Sequence, residues 1–273
     1  TELPESKTSN WFEKLPEGTE VADIWFPVLH GPNCEDGTIQ GLLKVFGKKF
    51  VGSGVLGSAL GMDKLAMKAA FAASGLAQVK YSEENSENLK NPNYFSSTIK
   101  RLEHELGYPC FVKPSNLGSS VGITKAYNSS QLKEGLELAA KYDSRLIIEE
   151  NVNGRELECA VLGKREMKAS IVGEIIHKSD WYDYKTKYTS NLSEPLIPAP
   201  LSEDIAKKIR QLSLVACKTI SVNSLARVDF FYKETQNQIL INEVNTLPGF
   251  TNESMYPMLW NASGVSIEEL VAK

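Results

Sequence analysis

Leu225-Ala-Arg-Val-Asp-Phe-Phe-Tyr232 and Gln238-Ile-Leu-Ile-Asn-Glu243 are the stretch of sequence that decides the fold. Both segments are rich in branched and aromatic side chains, and a short polar turn separates them. The pattern predicts two successive strands, Leu225 to Tyr232 and Gln238 to Glu243, followed by a loop rich in proline, glycine and asparagine.

The polar face of this strand pair carries oxygen-bearing side chains. Because side chains alternate across a strand, Arg227 and Asp229 share one face of the first strand, and Glu243 and Asn245 share one face of the second. If the strands are antiparallel neighbours, the oxygens of Asp229, Glu243 and Asn245 converge. Oxygen ligands suit a hard cation such as Mg²⁺ held together with nucleotide phosphates. The alternative is a pair of amphipathic strands with solvated polar faces.

The rest of the chain predicts an α/β protein of two to three small domains. A buried strand at Val21–Leu29, a helix and a short strand at Lys49–Val51 indicate part of a parallel α/β domain. One helix is expected over Ser58–Ser74. Long polar loops are expected at Tyr81–Pro92 and Lys178–Pro200.

Composition narrows the classes of function. A formal net charge of -4 and a pI near 5.6 provide no basic field for nucleic acid. The sequence contains no run of about 18 apolar residues, so no transmembrane helix and no membrane partner are expected. Four cysteines without a CxxC pair indicate reduced thiols, which favours a cytoplasmic protein that handles small molecules.

A second group of polar residues follows another predicted strand, in Lys113-Pro-Ser-Asn-Leu-Gly-Ser-Ser-Val-Gly122. Glycines allow backbone N–H groups to approach phosphate oxygens, hydroxyls add donors, and the lysine adds charge. The segment does not match GxxxxGK[ST], so a P-loop is excluded. An ordinary β-hairpin turn is the alternative.

Three further segments carry candidate ligand contacts. Glu149 to Glu156 closes a strand with acidic residues, and Tyr182 to Tyr188 places a lysine and a tyrosine in a polar loop suited to an active-site lid. His30 stands at a strand end, where α/β proteins commonly bind ligands. A charged turn, a surface loop and a structural histidine are the respective alternatives.

Taken in order, these segments resemble the D-alanine:D-alanine ligase family of the ATP-grasp superfamily, from about Val21 to the C-terminus. The matching motifs are His30-Gly-Pro…Glu-Asp-Gly-Thr-Ile-Gln-Gly, Met62-Asp-Lys64, Val112-Lys-Pro-Ser…Gly-Ser-Ser-Val-Gly, Tyr182-Asp-Tyr-Lys-Thr-Lys-Tyr, Ala226-Arg-Val-Asp, and Asn242-Glu-Val-Asn-Thr-Leu-Pro-Gly-Phe-Thr.

The resemblance implies an ATP-grasp fold, in which two α+β subdomains clasp ATP behind a partial Rossmann-like N-terminal domain. The expected divisions are residues 1–57, 58–152 and 153–273. The family opens with a strand and a glycine-rich loop that carries a substrate-binding glutamate. This sequence lacks a counterpart, so we expect an incomplete N-terminal domain. A homodimer is also expected.

The resemblance also implies a role for each matching residue. For ATP these are Lys64 and Lys113 on the α- and β-phosphates, Lys187 on the γ-phosphate, Ser115 to Ser120 in a closing loop, and Glu149, Val152 and Glu156 on adenine and ribose. Two Mg²⁺ or Mn²⁺ ions would be held by Asp229, Glu243 and Asn245. For the amino acids these are Arg227 and the Gly249 N–H on the oxyanion, Ser119 and Tyr188 as an orienting pair, and His30 and Ser254 on substrate.

The reaction that the resemblance implies joins two D-alanine molecules for peptidoglycan precursor synthesis. ATP phosphorylates the first carboxylate, and the amine of the second D-alanine attacks the acyl phosphate. Tyr188 favours an amine over D-lactate as the second substrate, and D-serine stays open. The alternatives are another ATP-grasp ligase, a non-catalytic nucleotide-binding module, and a dehydrogenase suggested by Gly52-Ser-Gly-Val-Leu-Gly57, where no acidic residue follows at the required spacing.

Overall fold

Two antiparallel sheets organise the residues that the computed structural model describes, which are 21–118, 121–177 and 193–272. Along the chain the strands are β1 (Tyr81–Asn85), β2 (Cys110–Pro114), β3 (Thr124–Ala126), β4 (Arg145–Glu150), β5 (Arg155–Gly163), β6 (Lys168–His177), β7 (Ser193–Leu196), β8 (Ser224–Lys233) and β9 (Gln238–Asn245). The first sheet has the order β1-β4-β2-β3, and the second has the order β7-β6-β5-β8-β9.

Helices pack on one face of the first sheet and on both faces of the second. They are α1 (Thr38–Val45), α2 (Val55–Met62), α3 (Lys64–Ala73), α4 (Ser86–Leu89), α5 (Pro92–Leu106), α6 (Ser129–Ala139), α7 (Glu203–Thr219), α8 (Met255–Ala262) and α9 (Ile267–Val271). No helix among the described residues is both long and apolar enough to span a bilayer.

Each sheet has its own apolar core. Leu102 of α5 and Leu136 of α6 pack against Val112 and Ile148 of the first sheet. In the second sheet, the alternate residues of β8, including Val228 and Phe230, point into a core shared with α3 and α7. The opposite face of the first sheet carries Lys113. The opposite face of the second sheet carries Arg227 and, beside it, a further apolar cluster in which Ala160 and Leu225 pack against α8.

The helix predicted at Ser58–Ser74 is interrupted in the structure. Asp63 has an extended backbone, with φ −85° and ψ 106°, and separates α2 from α3. Its side chain accepts a hydrogen bond of 2.9 Å from Ala66 N, which caps α3. The single-helix prediction was wrong because apolar periodicity continues through this break.

The loop predicted at Tyr81–Pro92 was also wrong. Its first residues form β1, which pairs with β4 from Tyr81↔Glu149 to Asn85↔Arg145, and α4 follows directly. The sequence of β1 is Tyr-Ser-Glu-Glu-Asn, which has low strand propensity. Pairing with a buried neighbour decides its conformation, as is common for strands.

The buried strand predicted at Val21–Leu29 is reduced to one parallel bridge, Trp25↔Phe50. Val21, Ile24 and Val28 are exposed. The two bridged residues stand before and after α1 in the sequence, so the strand–helix–strand order of the expected parallel unit is present in minimal form. The prediction of burial was wrong for this segment, since the described residues supply it with a strand partner on one side only.

Candidate active site

The polar face of β8 and β9 forms one wall of the site. The strands are antiparallel neighbours, and Asp229 pairs with Glu243 while Arg227 pairs with Asn245. Residues directly opposite one another have Cβ atoms about 4.5–5.5 Å apart. The antiparallel pairing on which the predicted convergence of oxygens depended is therefore present.

Arg227 is clamped between two carboxylates on this wall. Its Nε and Nη2 each donate a 2.8 Å hydrogen bond to Asp229, and its Nε lies 3.0 Å from Glu158 Oε2. Burial alone would lower the pKa of Arg227, but Asp229 and Glu158 raise it well above its ordinary value. The guanidinium is thus a permanent positive charge, held between Asp229 and Glu158 on this wall of the site.

The donor set on this wall fits a hard cation. Within residues 21–118, 121–177 and 193–272, no group of three histidine, cysteine or acidic side chains gathers as metal ligands. The set here is two carboxylates and one amide, and Mg²⁺ commonly takes only one or two carboxylates when phosphates and water complete its shell. Asn245 Oδ1 accepts from Leu247 N at 3.2 Å, which orients the amide oxygen and leaves it a second lone pair.

The opposing wall is the polar face of the first sheet. Lys113 Nζ lies 2.5 Å from one oxygen of Glu149, and Lys68 Nζ lies 2.7 Å from the other. Burial alone would raise the pKa of Glu149, but the two lysines hold it well below its ordinary value. Burial alone would lower the pKa of Lys113, and Glu149 more than offsets this. Glu149 and Lys113 are therefore both charged near neutral pH.

Hydrogen bonds join the start of helix α3 to the start of the loop after Lys113. Ser115 Oγ donates to Asp63 Oδ1 at 2.8 Å, and Lys64 N donates to the Ser115 carbonyl at 2.9 Å. Lys64 Nζ donates to the Leu117 carbonyl at 2.5 Å. These bonds place Lys64, Lys113 and Ser115 around one loop, as phosphate binding would require.

The two walls face each other. Burial lowers the pKa of Lys64, and the charge of Glu243 on β9 opposes that shift. The pKa of Lys113, for which burial is the largest influence, is raised by Glu149 and further by Glu243 and Glu156. Lys64 of α3 and Lys113 of the first sheet thus both lie within electrostatic reach of Glu243 on the second sheet.

Two loops complete the site. Glu35 accepts a 2.6 Å hydrogen bond from Gly31 N, and its other oxygen lies 3.9 Å from His30 Nδ1. A methyl group at Gly118 would stand 3.9 Å from Glu35 Oε2, so the His30 loop adjoins the loop after Lys113.

On the other side, Gly249 and Ser254 are in direct contact. Ser254 Oγ is 2.9 Å from Thr251 Oγ1, and a methyl group at Gly249 would stand 2.7 Å from Ser254 Oγ. The backbone N–H predicted to bind an oxyanion therefore lies beside the hydroxyl predicted to bind a substrate carboxylate.

Several predicted residues occupy connections or undescribed segments. Val152 lies in the segment 151–154, which joins β4 of the first sheet to β5 of the second, and Glu156 follows on β5. The predicted roles of Ser119, Ser120, Lys187 and Tyr188 fall outside the described residues.

Sequence reasoning missed Lys68 and Glu158. Lys68 is a charged residue among the buried positions of α3, with Leu65, Met67 and Phe71 as the others. Glu158 stands two residues after Glu156 and so shares its face. Two signals were available in the sequence. Lys68 is a charged residue among the apolar residues of a helix, and Glu158 is a second acid on the same face of a strand as Glu156.

Comparison with known proteins places this site in a family. The model described as D-ala D-ala ligase C-terminus matches residues 70–273, and that described as D-ala D-ala ligase N-terminus matches residues 3–53. The chain belongs to the D-alanine–D-alanine ligase family. The resemblance drawn from the sequence motifs is confirmed.

Relatives in the D-alanine–D-alanine ligase family are similar over nearly the whole chain. A D-alanine–D-alanine ligase of Prochlorococcus marinus (strain MIT 9313) is 60% identical over 262 residues, which cover 96% of this chain and 74% of the relative. That of Synechococcus sp. (strain CC9311) is 56% identical over 271 residues, which cover 99% of this chain and 77% of the relative. The chain thus spans about three quarters of their length.

Solved structures of the family confirm the fold. The D-alanine-D-alanine ligase from Coxiella burnetii superposes with a TM-score of 0.79 at 35% identity, covering 92% of this chain and 67% of that one. The VanG D-Ala:D-Ser ligase from Enterococcus faecalis gives 0.82 at 38% identity, covering 92% of this chain and 71% of that one. The ATP-grasp fold expected from the sequence is confirmed, and the dehydrogenase alternative is excluded.

Within this fold, Gly57 of the segment Gly52-Ser-Gly-Val-Leu-Gly57 serves packing. Gly54 is the N-cap of α2, and a methyl group at Gly57 would stand 2.5 Å from the Ser221 carbonyl oxygen. The spacing that resembles a dinucleotide motif therefore reflects the close approach of a helix to a backbone.

Proposed function

We propose that this protein joins two D-alanine molecules into D-alanyl-D-alanine while ATP is converted to ADP and phosphate, which supplies a peptidoglycan precursor. One observation carries the proposal. In a chain 60% identical to a D-alanine–D-alanine ligase, Lys64 at the start of α3 and Lys113 on the first sheet both lie within electrostatic reach of Glu243 on the second sheet. Phosphates and bridging cations are the ligands that such opposed charges accommodate.

The proposed nucleotide site lies between the sheets. Lys64 and Lys113 would neutralise the α- and β-phosphates, and Ser115 anchors the loop that would cover them. Glu149, Val152 and Glu156, at the crossing from one sheet to the other, would contact adenine and ribose. We place the division between the central and C-terminal subdomains there, at residues 152/153, with the N-terminal unit ending at 57.

Asp229, Glu243 and Asn245 would hold the two Mg²⁺ or Mn²⁺ ions. When bound, these ions would supply charge neutralisation of the phosphates. The residues themselves contribute orientation: the antiparallel register fixes the three side chains on one face, and the Arg227 guanidinium holds the Asp229 carboxylate by both oxygens.

The amino-acid chemistry would follow on the Arg227 side of the cleft. The carboxylate of the first D-alanine takes the γ-phosphoryl group of ATP and becomes an acyl phosphate. The amine of the second D-alanine attacks the acyl carbon, phosphate leaves, and the amine loses a proton. The guanidinium of Arg227 and the N–H of Gly249 would donate to the oxyanion that forms, which is commonly the largest electrostatic contribution to such reactions.

His30 and Ser254 would bind the two amino acids, and Lys187, Ser119, Ser120 and Tyr188 keep the roles that the family resemblance implies. We further propose a cytoplasmic homodimer without nucleic-acid or membrane partners. Sedimentation equilibrium tests the dimer: the account expects twice the mass of the chain.

The test of function is D-alanine-dependent ADP formation. ADP is measured by a coupled assay with D-alanine alone, D-alanine plus D-serine, D-alanine plus D-lactate, and L-alanine, and the products are identified by mass spectrometry. We expect D-alanyl-D-alanine in the first reaction and no ADP with L-alanine. Asp229→Asn serves as the inactive control, and Arg101→Met as the structural control, since Arg101 pairs with Glu84 away from the cleft. Preferential formation of D-alanyl-D-serine would show that D-serine is the second substrate. Nucleotide binding without ADP formation would favour a non-catalytic nucleotide-binding module.

A further inference from the structure

Lys68 is a buried lysine to which the proposed mechanism assigns no part. It is 1% exposed and lies on α3, where the other buried residues are apolar. An ammonium group is costly to bury unless it is paired, so its position needs a specific partner. Its backbone carbonyl accepts a 2.9 Å hydrogen bond from Gln78 Nε2, which fixes this turn of the helix.

The partner of Lys68 is the carboxylate of Glu149. Its Nζ lies 2.7 Å from Glu149 Oε1, as an ion pair without an aligned hydrogen bond, and 5.3 Å from the centre of the Tyr81 ring. Lys113 Nζ lies 2.5 Å from the second oxygen of the same carboxylate. One buried anion is thus shared by two cations, and the group as a whole carries a net positive charge.

The two lysines differ in what else they can reach. The Lys68 side chain is 2% exposed and lies against Glu149 and Tyr81 of the first sheet, whereas the Lys113 side chain is 17% exposed and lies within electrostatic reach of Glu243 across the cleft. Only Lys113 can therefore exchange Glu149 for a ligand between the sheets.

We propose that Lys68 is a positioning residue that keeps Glu149 paired while Lys113 moves to a nucleotide phosphate. The inference rests on the proposed function, because it takes that phosphate to be one of ATP or ADP. With Lys68 in place, the move leaves a neutral Lys68–Glu149 pair. Without Lys68, the same move would leave a buried carboxylate alone, so Lys113 would stay on Glu149 and bind phosphate poorly.

Comparison of ADP with adenosine isolates this effect. Adenosine lacks phosphates and does not draw Lys113 from Glu149, so its affinity reports the base and ribose contacts alone. Affinities are measured by titration calorimetry, with adenosine by displacement of ADP. In Lys68→Met we expect the ratio of the ADP to the adenosine association constant to fall at least about tenfold, which corresponds to about 1.4 kcal/mol.

Arg101→Met is the matched control. Arg101 pairs with Glu84 on β1, a carboxylate of the same sheet that is 2% exposed, so this variant also deprives a buried acid of its cation. We expect it to lose stability while keeping the wild-type ratio. Lys68→Gln, which preserves polarity without the charge, carries the same predicted ratio as Lys68→Met and serves if that variant does not fold.

A double-variant cycle separates positioning from simple loss of positive charge. In the Glu149→Gln background no anion needs a counterion, so replacing Lys68 should leave the ratio unchanged. An equal fall in both backgrounds would show that Lys68 acts only as a distant charge, and an unchanged ratio in Lys68→Met would show a merely structural role. Either result overturns the inference alone. Failure of the wild type to bind ADP would overturn the proposed function and this inference with it.

Discussion

Arg227 and Asp229 meet through two parallel hydrogen bonds of 2.8 Å, from Nε to Oδ1 and from Nη2 to Oδ2. The residues stand two apart on β8, so the alternation of the strand brings both side chains to the cleft face. This pair joins the residue proposed to bind the oxyanion to one proposed to bind magnesium. A substitution of either residue should therefore disturb the position of the other side chain.

Replacement of Arg227 by lysine should impair turnover more than nucleotide binding. Lysine keeps the charge but cannot donate the two parallel hydrogen bonds. We expect kcat to fall by about 10²–10³, the usual loss on removal of one oxyanion donor, with little change in ADP affinity. Steady-state rates and ADP calorimetry measure the two quantities.

Arg155→Lys is the control for that variant. Arg155 also donates two hydrogen bonds to one carboxylate, from Nε to Glu174 Oε1 at 2.9 Å and from Nη2 to Glu174 Oε2 at 2.7 Å. It lies on the same sheet but outside the proposed site, so its rate should remain close to wild type. Equal losses of kcat in the two variants would speak against a special role for Arg227.

Glu149 should make the free energy of unfolding depend on pH in the acid range. Burial alone would raise the pKa of this carboxyl, but Lys113 and Lys68 hold it well below its ordinary value of 4.5. The unfolded chain takes up the proton first, so the contribution is fully present above about pH 4.5 and is lost as the pH falls further. Between about pH 6 and about pH 3, urea unfolding should show a larger loss for the wild type than for Glu149→Gln. Parallel pH curves would contradict this assignment.

Cys34 should be the first thiol to react with iodoacetamide. Burial raises the pKa of Cys110 to about 11 and also raises the pKa of Cys159 and Cys217. The thiolate is the reactive form, and these three side chains are enclosed, whereas Cys34 is partly exposed. Peptide mass spectrometry after brief native labelling should find Cys34 alkylated, and Cys34→Ser should abolish the early label. Early labelling of Cys217 would be inconsistent with the packing.

Gly249→Ala should perturb both stability and turnover. The added methyl group would stand 2.7 Å from Ser254 Oγ and 3.3 Å from Ser254 Cβ. Overpacking of this kind costs about 1–3 kcal/mol, and its relief would displace the N–H proposed to bind the oxyanion. Adding Ser254→Gly removes the obstructing side chain, so the double variant should regain stability without regaining activity. Urea unfolding and steady-state kinetics report the two effects, and recovery of both would remove Ser254 from substrate binding.

The sequence predicted the second sheet better than the first. Period-two alternation around Arg227 and Asp229 is local information, and the antiparallel pairing of β8 with β9 follows from their short connection. The strand β1 was missed because its polar sequence becomes a strand only through pairing with β4, far along the chain.

The same distinction explains what was found of the site. Lys64, Lys113 and Glu243 belong to contiguous motifs and were identified. Lys68 belongs to none, and a lysine within a helix ordinarily indicates a solvated side chain. Its partner, Glu149, comes from a distant strand, so the ion pair is visible only when the fold brings the two together.

The most direct test of the ligase account follows one oxygen atom. D-Alanine labelled with ¹⁸O in its carboxylate is incubated with ATP, Mg²⁺ and the protein, and the released phosphate is examined by mass spectrometry. Because the carboxylate oxygen attacks phosphorus and leaves with it, the account predicts one ¹⁸O in each phosphate and one D-alanyl-D-alanine formed for each ADP. Unlabelled phosphate, or ADP formed without dipeptide, would contradict it.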